Sequence, residues 1–253
     1  MKILFIGDIY GEPGRKMVKE YLPYLKNTYK PNLIVVNGEN SANNGRGIKE
    51  EYYKELMKMG VSVVTMGNHV WGQQELHNFI DGSNIARPAN FLEAPGKQYV
   101  LINYNDKKVL IINLLGRTFM DYNLENPFVM AKNIIKTVDH DYSLVDFHAE
   151  ATSEKIALGH YLDGVASAVV GTHTHVQTAD ERVLPKGTLY ISDVGMTGPL
   201  NGVIGVSKEI VINRFLNGYT IPNKVEEGDK QLNAVIIDFF KKTIERIHIE
   251  SKW

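Results

Sequence analysis

The chain's 253 residues suffice for one sizeable domain with a closed core, and 28 basic against 29 acidic side chains leave a formal charge of -1. A pI near 6.7 offers no basic stripe for a nucleic-acid duplex, and the lack of cysteine excludes disulfides, thiolate zinc sites and a cysteine nucleophile. The opening apolar run Lys2-Ile3-Leu4-Phe5-Ile6 is too short for a signal peptide and no later segment approaches a membrane span, so a single cytoplasmic domain over residues 1–253 is expected.

In chain order, short β-branched runs alternate with helical stretches, the pattern of βαβ units. A strand over Lys2 to Gly7 precedes a helix over Arg15 to Tyr24, and a strand over Leu33 to Asn37 precedes a helix over Glu50 to Met59. Val61 to Met66 is the third strand. Tyr99 to Asn103 and Val109 to Asn113 flank Asn105-Asp106 as a hairpin. The strand Tyr142 to Phe147 leads to a helix over Ser153 to Leu162, followed by strands at Ala168 to Gly171 and Thr188 to Ser192. Asn233 to Asp238 and Thr243 to His248 form a second hairpin. Crossovers mixed with hairpins predict two sheets packed face to face with helices outside. Gly116 to Pro127 and the glycine-rich Gly195 to Gly205 read as loops that rim a site.

Residues able to hold a cation recur where these strands end. Open α/β sheets bind ligands in the crevice at the carboxyl ends of their strands, so such residues converge although distant in sequence. Asp8 lies in Gly7-Asp8-Ile9-Tyr10-Gly11-Glu12-Pro13-Gly14, whose glycines do not have dinucleotide-binding spacing. By itself Asp8 reads as a cap or turn residue, but a carboxylate facing a phosphate there demands a cation between them. Glu39 and Asn40 follow the second strand, and Glu39 has two oxygens with which to bridge ions about 3.5 to 4 Å apart. Asn68 and His69 follow the third, where Gly67 permits close backbone approach.

His148 follows Leu144-Val145-Asp146-Phe147, and Gly171-Thr172-His173-Thr174-His175 follows Ala168-Val169-Val170. In extended backbone, His173 and His175 at i and i+2 point to one face and reach one cluster. His77, His140, His160 and His248 lack ligand neighbours and read as surface or core residues. Donors confined to oxygen and imidazole suit Mn, Fe, Zn, Co or Mg.

The ordered set Gly7-Asp8-Ile9-Tyr10, Gly38-Glu39-Asn40, Gly67-Asn68-His69, His148 and Gly171-Thr172-His173-Thr174-His175 resembles the calcineurin-like metallophosphoesterases. The opening motif through Gly14, with Asn37-Gly38-Glu39-Asn40 and Gly67-Asn68-His69-Val70-Trp71, is similar more narrowly to the YmdB-type bacterial phosphodiesterases. The resemblance implies a four-layer α/β/β/α sandwich, a two-metal centre and phosphoester hydrolysis, with cyclic nucleotides such as 2′,3′-cAMP or 3′,5′-cAMP as substrates. It assigns Asp8, Glu39, Asn40 and His175 to the first metal, and Glu39, Asn68, His148 and His173 to the second. His69 becomes the general acid or a phosphate stabiliser. Tyr10 stands where many members have histidine, so the first metal lacks one imidazole, which favours Fe or Mn over Zn. Val70 stands where many have a carboxylate partner for the catalytic histidine.

Two divalent ions against Asp8 and Glu39 would leave about two net positive charges, which attracts a phosphoester and activates a bridging water as hydroxide. That chemistry by itself does not separate diesters from monoesters. A phosphomonoesterase of nucleotides or phosphoproteins, or a regulatory protein with a slow metal site, are the alternatives. Asn43, Asn44, Arg46, Arg117 and the Thr197 to Gly205 loop are candidates for substrate selection that also read as ordinary loop chemistry. An exposed C-terminal hairpin or apolar loop would support a homodimer or homotetramer.

Overall fold

Strand β1 (Lys2–Ile6) is apolar on both faces because each face meets a different core. Leu4 and Ile6 join Met17, Val18, Leu22 and Leu25 of helix α1 (Gly11–Tyr29), whereas Ile3 and Phe5 join residues of the opposite sheet. Period-2 alternation thus divides the strand between two layers, each buried side chain contributing about 1.5–3 kcal/mol. Strand β2 (Leu33–Asn37) does the same, sending Ile34 and Val36 to the helices, and Leu33 and Val35 to the second sheet. The computed structural model describes residues 1–120, 122–219 and 221–252.

Helix α2 (Glu50–Lys58) leads to β3 (Val63–Thr65), and two short 3-10 turns at Val70–Gly72 and Gln74–Asn78 lead to β4 (Ile85–Ala86). Strands β1 to β4 are parallel neighbours. The second sheet starts with β5 (Tyr99–Tyr104) and β6 (Lys107–Leu115), an antiparallel hairpin turned at Asn105 with φ 53°. Helix α3 (Pro127–Thr137), β7 (Tyr142–His148), helix α4 (Thr152–Tyr161) and β8 (Ala168–Thr172) follow. Then come β9 (Arg182–Val183), β10 (Leu189–Ile191), β11 (Gly198–Pro199), helix α5 (Lys208–Asn217), β12 (Lys230–Asp238) and β13 (Thr243–Ser251). The sheet orders are β11-β12-β1-β2-β3-β4, with β13 on β12, and β5-β6-β7-β8-β10-β9.

Between the sheets, Ile3, Phe5, Val35 and Val63 meet Val109, Ile111, Leu144, Val170 and Ile191. Outside the second sheet, Ile112, Val145, Phe147 and Val169 pack against Ala131, Ile134 and Leu158 of α3 and α4. The architecture is the four-layer α/β/β/α sandwich. Both hairpins form, and each extends a parallel set: β6 also runs parallel to β7, and β12 pairs antiparallel with β1.

Some local readings need correction. Helix α1 starts at Gly11 and runs through Pro23 to Tyr29, beyond the expected Arg15 to Tyr24, because its buried face at Met17, Leu22 and Leu25 outweighs one missing amide donor. Helix α3 lay unread behind the loop ending at Pro127. Its start was marked by Asn126, whose side chain accepts the Phe128 and Val129 N–H groups, with proline in the first turn. Helix α5, ended by Gly218 at φ 70°, was also missed.

Candidate metal centre

Five of the parallel strands end at one place. Asp8 follows β1, Glu39 and Asn40 follow β2, Asn68 and His69 follow β3, His148 is the last residue of β7, and His173 and His175 follow β8. Asp8, Glu39, Asn40 and His148 are almost wholly buried, and His175 is 9% exposed. Glycines make the convergence sterically feasible. A Cβ at Gly67 would overlap the Glu39 carboxylate and the His148 ring, and one at Gly7 would overlap the Gly195 carbonyl.

All eight sequence-predicted residues meet in this cluster. His148 Nε2 lies 3.0 Å from Asn68 Oδ1, 3.0 Å from His173 Nδ1 and 3.2 Å from Glu39 Oε1. His175 Nε2 lies 3.2 Å from Asn40 Oδ1. The His173 N–H donates to Asp8 Oδ2 at 3.3 Å. Ligand atoms of Glu39, His148 and His173 fall within 4.8 Å of one another, as do those of Asp8, Glu39 and His175. Glu39 belongs to both groups.

The extended backbone expected for His173 and His175 is not what forms. Both residues have positive φ, 102° and 67°, so the chain turns sharply off β8. Such a conformation costs on the order of 1–3 kcal/mol at a non-glycine residue and persists only where its surroundings fix it. Here the surroundings do so. Between the two histidines, the Thr174 N–H and hydroxyl both donate to Asp193 Oδ2, at 3.1 and 2.7 Å. Asp193 in turn pairs with buried Lys155 at 2.6 Å.

The nitrogen of each imidazole that faces away from the cluster has an acceptor. His148 Nδ1 bonds Thr172 Oγ1 at 2.9 Å, and Thr172 donates to Asp146 Oδ1 at 2.7 Å. His175 Nδ1 donates to the Ile204 carbonyl at 2.8 Å, and His173 Nε2 lies 3.1 Å from Glu150 Oε2. These partners set the tautomers so that the remaining lone pairs converge, as in metal sites whose outer partners orient the ligands. Asn40 Oδ1 and His175 Nε2 then face each other at 3.2 Å, acceptor against acceptor, because Asn40 Nδ2 donates to the Gly45 carbonyl and His175 Nδ1 to the Ile204 carbonyl. Neighbouring donors about 2.1 Å from one six-coordinate ion stand about 3 Å apart, so the spacing suits a cation between them.

The electrostatics agree. Asp8 Oδ1 is buried with no hydrogen-bond partner among the described residues. Burial drives the Asp8 carboxyl up to about 8, against the opposing pull of His148. Burial pushes His148 down, but Glu39 above all, then Asp8 and Asp146, raise it to about 9. Glu39, which burial alone would raise, is held well below the usual carboxylate range by His148 and His69. His173 is lowered to about 3 by burial and by the charge of His148. Protein groups by themselves thus hold a proton on His148 where the acids call for positive charge. The donor set fits divalent metal ions.

His69 Nδ1 sits 3.2 Å from Glu39 Oε1 and 3.2 Å from Asn40 Nδ2. Glu39 thus supplies the carboxylate partner that Val70 does not. His69 is on the wall of a cavity of about 330 Å³ that also exposes Glu39, Asn40, His173 and His175. Asn44 and Arg46 share this wall, while Asn43 is turned away toward Arg15. The Arg117 N–H is taken by Glu154. The two expected rims do border the cluster: Tyr122 donates to the Asn68 carbonyl at 3.0 Å, and the Thr197 N–H donates to the Asp8 carbonyl at 2.8 Å. The other histidines lie elsewhere. His77 stacks on Trp71, His140 bonds the Val138 carbonyl, His248 bonds Asn233, and His160 is exposed in the last turn of α4.

Sequence reasoning missed the support beneath the cluster. Asn37 donates to Asp146 Oδ2 at 3.0 Å, linking the two sheets under the site, and Thr172, Lys155 and Asp193 complete the layer. The signal was present in Asp146, a charged residue within an otherwise apolar buried strand, and in Lys155 on a helical face that packs inward.

A family model described as YmdB-like protein matches residues 4–251. The 2′,3′-cyclic-nucleotide 2′-phosphodiesterase of Bacillus subtilis is 51% identical, over 99% of this chain and 96% of its own length. A solved structure of a hypothetical protein from Thermus thermophilus superposes with TM-score 0.94 at 40% identity, covering 99% of this chain and 100% of that one. One titled as a novel phosphatase, from Mycoplasma pneumoniae, gives TM-score 0.93 at 38% identity, covering 100% and 94%.

Proposed function

Because the chain belongs to the YmdB-like family and is a metal-dependent phosphoesterase, we propose that it hydrolyses phosphodiester bonds of cyclic nucleotides such as 2′,3′-cAMP or 3′,5′-cAMP at a dinuclear centre. The observation that carries this reading is the pair of donor groups sharing Glu39, Asp8/Glu39/His175 and Glu39/His148/His173. Asn40 joins the first group through Oδ1 and Asn68 the second. When bound, the ions lower the pKa of a shared water and take up charge on the phosphoryl oxygens.

The remaining steps belong to the chain. Glu39, shared by both donor groups, and the fixed tautomers of three imidazoles would hold the ions' donors without reorganisation during the reaction. His69, acting as the imidazolium with Nδ1–H donated to Glu39, keeps Nε2–H for the substrate and delivers that proton to the departing oxygen, leaving the neutral imidazole. A sphere with several oxygen donors, from Asp8, Glu39, Asn40 and Asn68, favours Fe or Mn.

The test is hydrolysis of bis-p-nitrophenyl phosphate against p-nitrophenyl phosphate by chelator-stripped protein, with Mn, Fe(II), Zn or Mg restored in turn. Metal-dependent turnover favouring the diester supports the proposal and leads to 2′,3′- and 3′,5′-cyclic nucleotides. Preference for the monoester would replace it with a phosphomonoesterase. Metal binding without turnover would point to a regulatory protein.

A further inference from the structure

Arg46 stands on the cavity wall with His69, His173 and His175. Its backbone is held on several sides. The Arg46 N–H donates to Asn44 Oδ1 at 3.1 Å, its carbonyl accepts Gln73 Nε2 at 2.7 Å, and the preceding Gly45 carbonyl accepts Asn40 Nδ2 at 2.9 Å. Gly45 and Gly47 take left-handed φ values of 71° and 77°, which lets the loop double back on both sides of Arg46. Arg15 pins the same loop through the Ser41 carbonyl and Asn43 Oδ1. The cluster residue Asn40 and the loop bearing Arg46 therefore form one hydrogen-bonded piece.

The guanidinium itself makes no hydrogen bond or ion pair with a described residue. Of the two acids that line the cavity, Glu39 belongs to the cluster and Glu150 is engaged by His173 at 3.1 Å. Tyr10, on the same cavity wall as Arg46, packs edge-on to His175 with ring centres 5.4 Å apart. An arginine carried on a hydrogen-bonded loop, its exposed guanidinium without a counter-charge among the described residues and beside a cation-binding cluster, has a substrate anion as its natural partner. Its planar fork matches a phosphoryl group.

We propose that Arg46 is an anion clamp that takes a phosphoryl oxygen of the phosphoester held at the cluster, and so selects small phosphoesters by their phosphate. This rests on the phosphodiesterase reading of the cluster. A clamp on a phosphoryl oxygen already present in the bound substrate binds ground and transition states alike, so it acts on KM more than on kcat.

The experiment compares metal-loaded wild type, Arg46→Lys and Arg46→Gln in steady-state hydrolysis of bis-p-nitrophenyl phosphate, in inhibition by inorganic phosphate, and in direct calorimetric titration with phosphate. Arg46→Gln is expected to raise KM and weaken phosphate binding about 10- to 100-fold, with kcat within about 3-fold, the range set by charge-assisted hydrogen bonds. Arg46→Lys should fall between, and metal content and thermal midpoint should stay at wild-type values. KM and phosphate affinity within about 2-fold of wild type would overturn the clamp, as would a loss confined to kcat. If wild type hydrolyses no phosphoester yet binds phosphate in an Arg46-dependent way, the enzymatic reading fails while the clamp stands.

Discussion

Lys155 Nζ lies 2.6 Å from Asp193 Oδ2 with both side chains 2% exposed, and the same oxygen receives the N–H and hydroxyl of Thr174. Through Thr174, one buried ion pair holds both His173 and His175 in left-handed backbone. Asp193→Asn leaves Lys155 as an uncompensated buried cation and should cost roughly 3–5 kcal/mol in urea unfolding. Lys155→Met with Asp193→Leu removes both charges and should recover most of that stability. Metal affinity, read by titration, should stay impaired in both variants; wild-type affinity in the double variant would show that the turn needs no anchor.

Acid should weaken the same anchor. Burial pushes Asp193 up, but Lys155 and the Thr174 and Gly195 donors bring it below the ordinary carboxylate value. A carboxyl depressed on folding stabilises the protein above its unfolded pKa, near 3.9, and loses that contribution as pH falls through the lower folded value. In wild type, the acid-unfolding component below about pH 4 should therefore shrink when Lys155 and Asp193 are both replaced by apolar residues.

Mild alkali should act on the metal-free protein with the opposite sign. Asp8 rises on folding to about 8 and His148 to about 9, so both bind protons more tightly in the folded state. That contribution is present at lower pH and is lost as pH climbs through these values. The thermal midpoint of chelator-stripped protein should be drawn down by Asp8 from about pH 4 to 8 and by His148 from about pH 6.5 to 9, and metal should largely abolish the fall by replacing the proton. A flat midpoint without metal would mean that Asp8 and His148 do not hold their protons more tightly in the folded protein.

Glu39→Gln should nearly abolish turnover and lower metal content while leaving circular dichroism unchanged, since Glu39 belongs to both donor groups. His69→Ala should lower kcat by about 10²–10⁴-fold at wild-type metal content, the range for a lost general acid. An active Glu39→Gln enzyme would remove the shared bridge.

Gly67→Ala places a methyl group against Glu39 and His148. It should lower metal affinity at least as much as loss of one ligand, with the sheets intact, as metal titration and circular dichroism would show.

Thr172→Val removes the hydroxyl between His148 and Asp146 at nearly constant volume. Loss of such an orienting partner typically costs 10–100-fold in metal affinity. The effect should appear in titration as well as turnover; unchanged affinity would mean that packing alone orients the ring.

The residue types and order along the chain were enough to determine the parallel strands β1, β2, β3, β7, β8 and β10, both hairpins and two sheets with helices outside, though not the two-residue β4, because burial on two faces leaves largely apolar runs at β1, β2, β7 and β8. They also singled out Asp8, Glu39, Asn40, Asn68, His69, His148, His173 and His175, since each follows or ends such a run. Helices α3 and α5 were illegible where loop-like composition masked a cap or a glycine stop. Tertiary structure alone decided the left-handed turn at His173 and His175, because local preference disfavours it and its holding contacts come from distant segments, Asp193 after β10 above all, with Asp8 and Ile204. It also decided the tautomers of the histidines, whose partners Thr172, Ile204 and Glu150 come from three separate segments. Which atoms face a cation is a property of those contacts between distant segments, and no local pattern encodes it.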